Sequence, residues 1–430
     1  MTRPSNAGGT PVAGGTSVAG GTSVPGGTPL PDGPSVPDVD VVCLGESMVT
    51  FLPNQPGRLA DVPSFDRAIG GAESNVACTL ARTGHTARWI SRVGTDGFGD
   101  HLLAAIADCG VDVTHVRRDP LRPTGIYFRT AGDRAGDTHE VAYYRAGSAA
   151  SAMTAAQLDL DAVRSGRVLH LSGITAALSE DCLGLMRELT ARRPGRPLLS
   201  FDVNHRPGLW REPSQAQALL ELARGADLVF VGDDEARDAW GLHGPQAISD
   251  ALPEPDLLVV KQGKRGATVF QRTTETGGRR DDAIGTTTGE RRDDGIGTAT
   301  GGRRDDLTGT ETVVGRDEAT PTPTATATPT FVPSLAVDLV AATGAGDAFA
   351  AGFLSATLRG LPVRTRIRHG HLWAAAALTV PGDLATPPGR AHADRLAGLD
   401  DEAWGRLHLG PGWTEAGACG HRADEEVRTP

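Results

Sequence analysis

The sequence predicts a layered α/β fold built on a mostly parallel sheet, and three features carry that reading. Short apolar runs alternate along the chain with stretches whose apolar residues recur at helical spacing. Those runs lack polar alternation, the pattern of strands covered on both faces. Two glycine turns, Gly70-Gly71 and Gly344-Ala345-Gly346, each lead straight into an apolar helix. In a sheet of this kind, ligands gather beyond the carboxyl ends of the strands.

Taken in chain order, residues 1–37 repeat Gly-Gly-Thr at 8–10, 14–16, 20–22 and 26–28. They offer almost nothing to bury, so this segment is expected to be disordered. Val41–Leu44 is a short apolar strand. After Gly70-Gly71 a helix starts near Glu73, with Val76, Ala77, Leu80 and Ala81 on one face and Gly84 as its stop. Residues 101–109 are helical. Val168–Ser172, Leu198–Asp202, Leu228–Val231 and Leu257–Lys261 read as buried strands, separated by helices near 179–191, 214–224 and 245–251. The pieces 48–52, 64–69, 124–130 and 139–145 are strand-like but more exposed. Ala267–Gln271 and Thr330–Val337 read as paired strands interrupted by residues 272–330. Within that interruption Gly277-Gly278-Arg279-Arg280-Asp281-Asp282 recurs with small changes at 289–294 and 301–306. A solenoid needs an apolar face in every repeat, and this one has a single Ile or Leu at most, so a disordered insertion is expected. Lengthening a turn from about ten to about sixty residues costs only roughly 1.5 kcal/mol in loop closure, so the fold can carry it. Residues 396–430 read as a polar tail with a short helix near Asp401–Leu407.

Composition narrows the function. A formal net charge of −11 argues against a nucleic-acid or anionic-membrane surface. Lys261 and Lys264 are the only lysines. The five cysteines contain no CxxC pair, which suggests reduced thiols. Cys419 with His421 makes too small a ligand set for a structural metal. No apolar run approaches a membrane span and no signal-peptide core is present, so a cytoplasmic location is expected.

Residues 343–353, Thr-Gly-Ala-Gly-Asp-Ala-Phe-Ala-Ala-Gly-Phe, carry the chemistry. The first N–H groups of a helix lack internal partners and carry partial positive charge, and glycines let a phosphate approach them. Asp347 stands at the rim of this anion hole. It can take a proton from a hydroxyl while the amides of Gly344, Ala345 and Gly346 hold charge on a transferred phosphoryl group. The plainer alternative is a glycine-rich helix start with Asp347 as a cap. A dinucleotide-binding reading of Gly344-x-Gly346 fails, because Phe349 stands where that fingerprint wants glycine.

Gly70-Gly71…Asn75 early and Gly344-Ala345-Gly346-Asp347 late resemble the two signatures of the ribokinase-like (PfkB) carbohydrate kinases, in the same order and wide separation. The resemblance covers roughly residues 38–271 and 331–390. It implies a three-layer α/β/α core, residues 38–271 and 331–395, with a small β-sheet lid within 48–70 and 124–146 that covers the sugar and often forms a dimer contact. It also implies ATP and Mg²⁺, with Asp347 as base, and Gly71 and Asn75 near the sugar. Lys261, Gly263 and Gly266 would join Gly344 and Gly346 around the nucleotide, residues 373–386 would lie near the adenine, and the hairpin that carries the insertion would lie close to the nucleotide.

Two patterns bear on the sugar. Alternation sends Tyr143 and Arg145 to one face of a strand, and Arg206 follows a strand end in Asp202-Val203-Asn204-His205-Arg206. Guanidinium groups suit a carboxylate, so an acidic sugar is favoured. These patterns are similar to those of 2-keto-3-deoxygluconate kinases, which implies Tyr143, Arg145, Arg206 and, more loosely, Tyr127 as sugar contacts; fructokinases of the family carry similar arginine loops. Two departures stand out. Ala341 holds the place of a family aspartate that often helps bind a monovalent cation, which leaves potassium activation open. Gly232-Asp233-Asp234-Glu235 keeps Glu235, expected to organise Mg²⁺ through water, but lacks the family asparagine, for which Asp233 or Asp234 could substitute. A catalytically weak sugar-binding protein is the alternative of a different class.

Overall fold

A computed structural model of the chain describes residues 37–55, 57–130, 140–210, 213–272 and 327–415. The amino-terminal repeat and nearly all of the internal repeat lie outside the described residues, as does the stretch beyond 415.

β-Branched and apolar residues build an eight-stranded sheet. From one edge to the other its strands are Ala327–Pro333, Gly266–Arg272, Leu257–Lys261, Leu228–Gly232, Leu198–Asp202, Gly166–Ser172, Val39–Leu44 and Ala87–Ile90. The six strands from Leu257–Lys261 onward are parallel, Gly266–Arg272 runs against them, and Ala327–Pro333 pairs antiparallel with Gly266–Arg272. Alternate residues enter different cores, as a two-residue period requires. Val41, Cys43, Phe230 and Val259 join one apolar cluster, while Val42, Leu44, Val229, Val231 and Val260 join the other. Helices Ala72–Arg82, Ala345–Leu358 and Val363–Leu378 cover the first face; Glu180–Thr190, Gln217–Gly225 and Gly244–Ala251 cover the second. The result is the expected three-layer α/β/α core. Ala87–Ile90 is an edge strand that the sequence pattern hides, because Arg88 interrupts its apolar run.

A second sheet runs in the order Phe65–Gly70, Met48–Pro53, Ile126–Arg129, Val141–Tyr144. Phe51 stacks on Phe128 at 4.6 Å, with Phe65, Phe98 and Tyr144 edge-on around them. No described helix is long and apolar enough to cross a membrane.

Two expectations need correction. Residues 396–415 are not a polar tail. Helices Arg390–Ala397 and Asp401–Arg406 pack on the core, and His408–Leu409 pairs with Ala336–Val337. Trp404 is 1% exposed, donates its indole N–H to the Pro333 carbonyl at 3.1 Å and is covered by Arg368. The charges of this stretch, Asp400, Asp401, Glu402 and Arg406, cap and coat a short helix around that one buried ring. The insertion is also placed differently. Gly266–Arg272 starts at the carboxyl edge of the parallel strands and runs away from it, so Arg272 pairs with Ala327 at the opposite edge. Arg272 is pinned there by the Pro255 and Ser249 carbonyls. The turn facing the ligand edge is therefore 262–265, and the two residues that flank the insertion, Arg272 and Ala327, lie at the far end of the sheet.

Replacing residues 273–326 by an Asn-Gly hairpin turn should leave the fold intact and stabilise it by up to about 2 kcal/mol, since a shorter loop costs less to close. Thermal denaturation and circular dichroism of the shortened protein check this; a protein that no longer folds would show that the insertion contributes to the core.

Candidate active site

The carboxyl edge of the parallel strands gathers the charged residues. Glu46 follows Val39–Leu44, Asp202 ends Leu198–Asp202, Gly232 leads into Glu235, and Lys261 ends Leu257–Lys261. Above them the helix Ala345–Leu358 begins. Gly344 precedes it at φ +77°, and a Cβ there would overlap the Asp383 carbonyl, so only glycine fits. The turn thus presents the first amides of a long helix with Asp347 in its first turn.

Asn75 donates from Nδ2 to Asp347 Oδ2 at 2.9 Å, which joins the two glycine motifs. Gly71 lets the helix carrying Asn75 start against the Glu46 carbonyl, where a Cβ would clash. Burial pushes the Asp347 carboxyl up to about 7. The Asn75 hydrogen bond opposes that rise, Asp202 adds to it, and Arg206 and Lys261 oppose it. A carboxylate poised near neutrality can accept a proton from a hydroxyl.

Lys261 is not a solvated turn lysine. Its Nζ donates to both Asp202 oxygens, at 3.0 and 2.9 Å. Burial alone would lower its pKa, but Asp202 and Glu235 outweigh that and raise it. A Cβ built on Gly346 would lie 3.7 Å from Nζ, so the ammonium sits beneath the glycine turn. Gly263 and Gly266, at φ +55° and +140°, shape the turn that follows. Glu235 accepts from the Gly232 amide at 2.8 Å, with its other oxygen 3.6 Å from Arg206. Asp233 is engaged by Arg265 across the same edge. Among the described residues, no three His, Cys, Asp or Glu side chains gather into a metal cage.

The sugar candidates behave unequally. Arg206 is half-exposed, and Nη1 also donates to the His205 carbonyl at 3.1 Å. The Arg145 side chain is 10% exposed and paired with Glu46, which also accepts from Ser148 Oγ at 2.7 Å. Tyr143 is 53% exposed, with Arg145 lying 5.7 Å from its ring centroid. Tyr127 is buried and donates its hydroxyl to Asp383. From the adenine candidates 373–386, Trp373 is buried in its helix and Asp383 turns toward the small sheet.

Five charged residues here were not marked from sequence. Asp202 had a signal, a carboxylate ending a buried strand just before Arg206. Glu46, Glu73, Arg129 and Asp383 had none, because their partners lie far away in the chain. Glu73 is fully buried beside Gly45, accepts from Thr175 Oγ1 at 2.7 Å, and is pushed up to about 8 by burial, against the Thr175 hydrogen bond and with help from Asp347 and Glu46.

Residues 38–285 and 309–388 match the pfkB family carbohydrate kinase model. The chain is 32% identical to the 2-dehydro-3-deoxygluconokinase of Bacillus subtilis, over 82% of this chain and 93% of that one. It is 29% identical to fructokinase-2 of Solanum lycopersicum, over 57% and 79%. A crystal structure of a PfkB protein from Polaromonas sp. JS666, 31% identical, superposes with a TM-score of 0.62 over 83% of this chain and 99% of that one.

Because the folded Asp347 carboxyl sits above its unfolded value, both states are protonated at low pH and ionising it in the fold costs stability. That cost grows as pH rises from the ordinary carboxylate range to about 7. Asp347→Asn should therefore be more stable than the parent above pH 7, by of order 1 kcal/mol after screening by solvent, with the gap closing toward pH 4. Urea denaturation across that range measures it; a gap that stays constant with pH would contradict the raised pKa.

Proposed function

The chain belongs to the pfkB family of carbohydrate kinases, and we propose that it transfers the γ-phosphoryl group of ATP to a primary hydroxyl of 2-keto-3-deoxygluconate. The observation that carries this reading is the Asn75–Asp347 pair at the mouth of the Gly344–Gly346 turn, with Lys261 beneath it. In the proposed reaction, Asp347 takes the proton of the attacking hydroxyl as the new phosphorus–oxygen bond forms. The bond to ADP breaks, and the amides of Gly344–Gly346 together with Lys261 hold the charge on the transferred group. The proton on Asp347 then passes to solvent. Asn75 keeps the carboxylate aimed at the hydroxyl, Gly263 leaves open space for the nucleotide phosphates, and Gly266 lets its strand pass close against the Val332 carbonyl.

The donor set fits magnesium only in its outer shell. Asp202 is taken by Lys261 and Asp347 by Asn75, which leaves Glu235, and no cage of three exists among the described residues. That suits an ion that keeps most of its water and is held chiefly by phosphates. Bound there, Mg²⁺ would neutralise phosphate charge, with Glu235 ordering its water.

Support for the sugar acid comes from the 2-dehydro-3-deoxygluconokinase relatives and from Arg206, whose half-exposed guanidinium can meet a carboxylate. Phosphorylation of fructose is the second reading. The Glu46–Arg145 pair favours it, because Glu46 removes the net charge of the second expected carboxylate contact, and fructokinases are similar to this chain.

Release of ADP with Mg-ATP should be fast on 2-keto-3-deoxygluconate and slow on fructose, ribose and adenosine. Asp347→Asn should lose about 10²–10⁴-fold in kcat with sugar binding kept, as expected for loss of a general base. Retained turnover in that variant would sink the mechanism. Activity should rise with pH through about 7 as Asp347 ionises. Arg206→Ala should raise KM for the sugar acid by about 10–100-fold, the worth of a charge-assisted hydrogen bond, and leave fructose within about twofold. Fast turnover on fructose alone would transfer the assignment to the second reading.

A further inference from the structure

Few contacts of its own fix the turn before the phosphate-facing helix. Ala341 and Ala342 precede it with only methyl side chains, and Gly344 has none. What holds it comes from elsewhere. The Asp383 carbonyl lies against the Gly344 α-carbon, closer than any Cβ would permit. The Asp383 side chain faces the small sheet, where Oδ1 accepts from Arg129 Nη2 at 2.7 Å and Oδ2 accepts from the Tyr127 hydroxyl. The other arm of the fork, Arg129 Nη1, donates to Thr343 Oγ1 at 3.0 Å.

Arg129 and Asp383 are 6% and 5% exposed. Tyr127 and Arg129 are two residues apart on the strand Ile126–Arg129, so both leave it on one face. The neighbouring strand Val141–Tyr144 carries Tyr143 and leads into Arg145. One buried carboxylate therefore joins three segments: the small sheet, the stretch between the helices Val363–Leu378 and Arg390–Ala397, and the Thr343–Gly344 turn. A buried pair of this kind resists partial opening, because freeing either partner leaves an uncompensated charge in a low-dielectric site.

We propose that Arg129 is a positioning residue for phosphoryl transfer: its buried pair with Asp383 and its bond to Thr343 tie the small sheet, with its sugar-side residues, to the turn that faces the phosphates. This rests on the kinase reading. Sugar seated against the sheet then favours the turn geometry that holds nucleotide, and by linkage nucleotide favours sugar to the same degree. A guanidinium suits this position because its planar fork serves the carboxylate and the hydroxyl at once, which an ammonium on a flexible stem does not.

Thr343→Val cuts the link to the turn and leaves the ion pair whole; Arg129→Lys keeps the charge and loses the fork. The readouts are kcat, sugar KM, melting temperature and the affinity for the β,γ-imido analogue of ATP, measured with and without 2-keto-3-deoxygluconate or fructose. Both variants should lose about tenfold in kcat, the worth of one buried hydrogen bond in positioning, with sugar KM within about twofold. The gain in analogue affinity on adding sugar, present in the parent, should vanish in both. Added guanidinium ion should restore part of the lost turnover in Arg129→Ala. Parent-like kcat and parent-like sugar–nucleotide coupling in Thr343→Val and Arg129→Lys, with only the melting temperature lowered, would reduce the pair to a structural one. A parent that turns over no sugar would instead count against the kinase reading, while analogue affinity in Thr343→Val still decides the role of the link.

Discussion

A carboxylate held in a cleft with little water must be balanced by its neighbours, and much of this molecule is arranged around that constraint. Burial, with Asp202 adding to it, would drive Asp347 to stay protonated, and the buried Glu73 lies close enough to feel its charge. Lys261 is the counterweight. By binding both oxygens of Asp202 it neutralises one acid outright, and it lowers the pKa of Asp347 from the same position. Glu73 is relieved differently: burial keeps it protonated at neutral pH, so it adds no charge. The carboxyl left near neutrality is the one that the glycine turn and Asn75 bring to the cleft.

The topology explains why these groups meet. Parallel strands deliver all their carboxyl ends to one edge, so residues from widely separated stretches converge without any long connection crossing the site. The reversal after Lys261 has a further effect. An antiparallel hairpin returns its open end to the opposite edge, and Arg272 and Ala327 lie there. The two points at which the insertion joins the sheet therefore lie away from the ligand edge, and the strands on either side of it stay paired.

The core was legible in sequence because it obeys simple periods. Leu228–Gly232 and Leu257–Lys261 are apolar up to their last residue, and the Gly344-Ala345-Gly346-Asp347 pattern marks a glycine turn that opens a helix with an acid in its first turn. The tail was misread because a count of charges hides one Trp404 among its acids. Pairings were the least legible. Tyr127 suggests a sugar contact, yet its hydroxyl is given to Asp383; Arg145 suggests a contact for a substrate carboxylate, yet Glu46 already lies on it. Each partner lies far along the chain from its mate, and no local pattern encodes such a distance.

If the sugar binds as proposed, the Glu46–Arg145 pair also alters how its pocket would discriminate. A free arginine attracts any anion, whereas an arginine already bound to a carboxylate offers directed N–H donors with little net charge. With its orientation fixed through Glu46, which Ser148 holds on the other oxygen, it would read hydroxyl geometry in the proposed reaction. In the proposed reading, selection for a carboxylate would fall to Arg206, which is half-exposed and lies 3.6 Å from Glu235. A substrate carboxylate arriving at Arg206 would loosen that contact and leave Glu235 to water. The acid at the edge of the nucleotide site would thereby become available to magnesium as the sugar binds, so the group that distinguishes a sugar acid from a neutral sugar would also help assemble the phosphate side of the cleft.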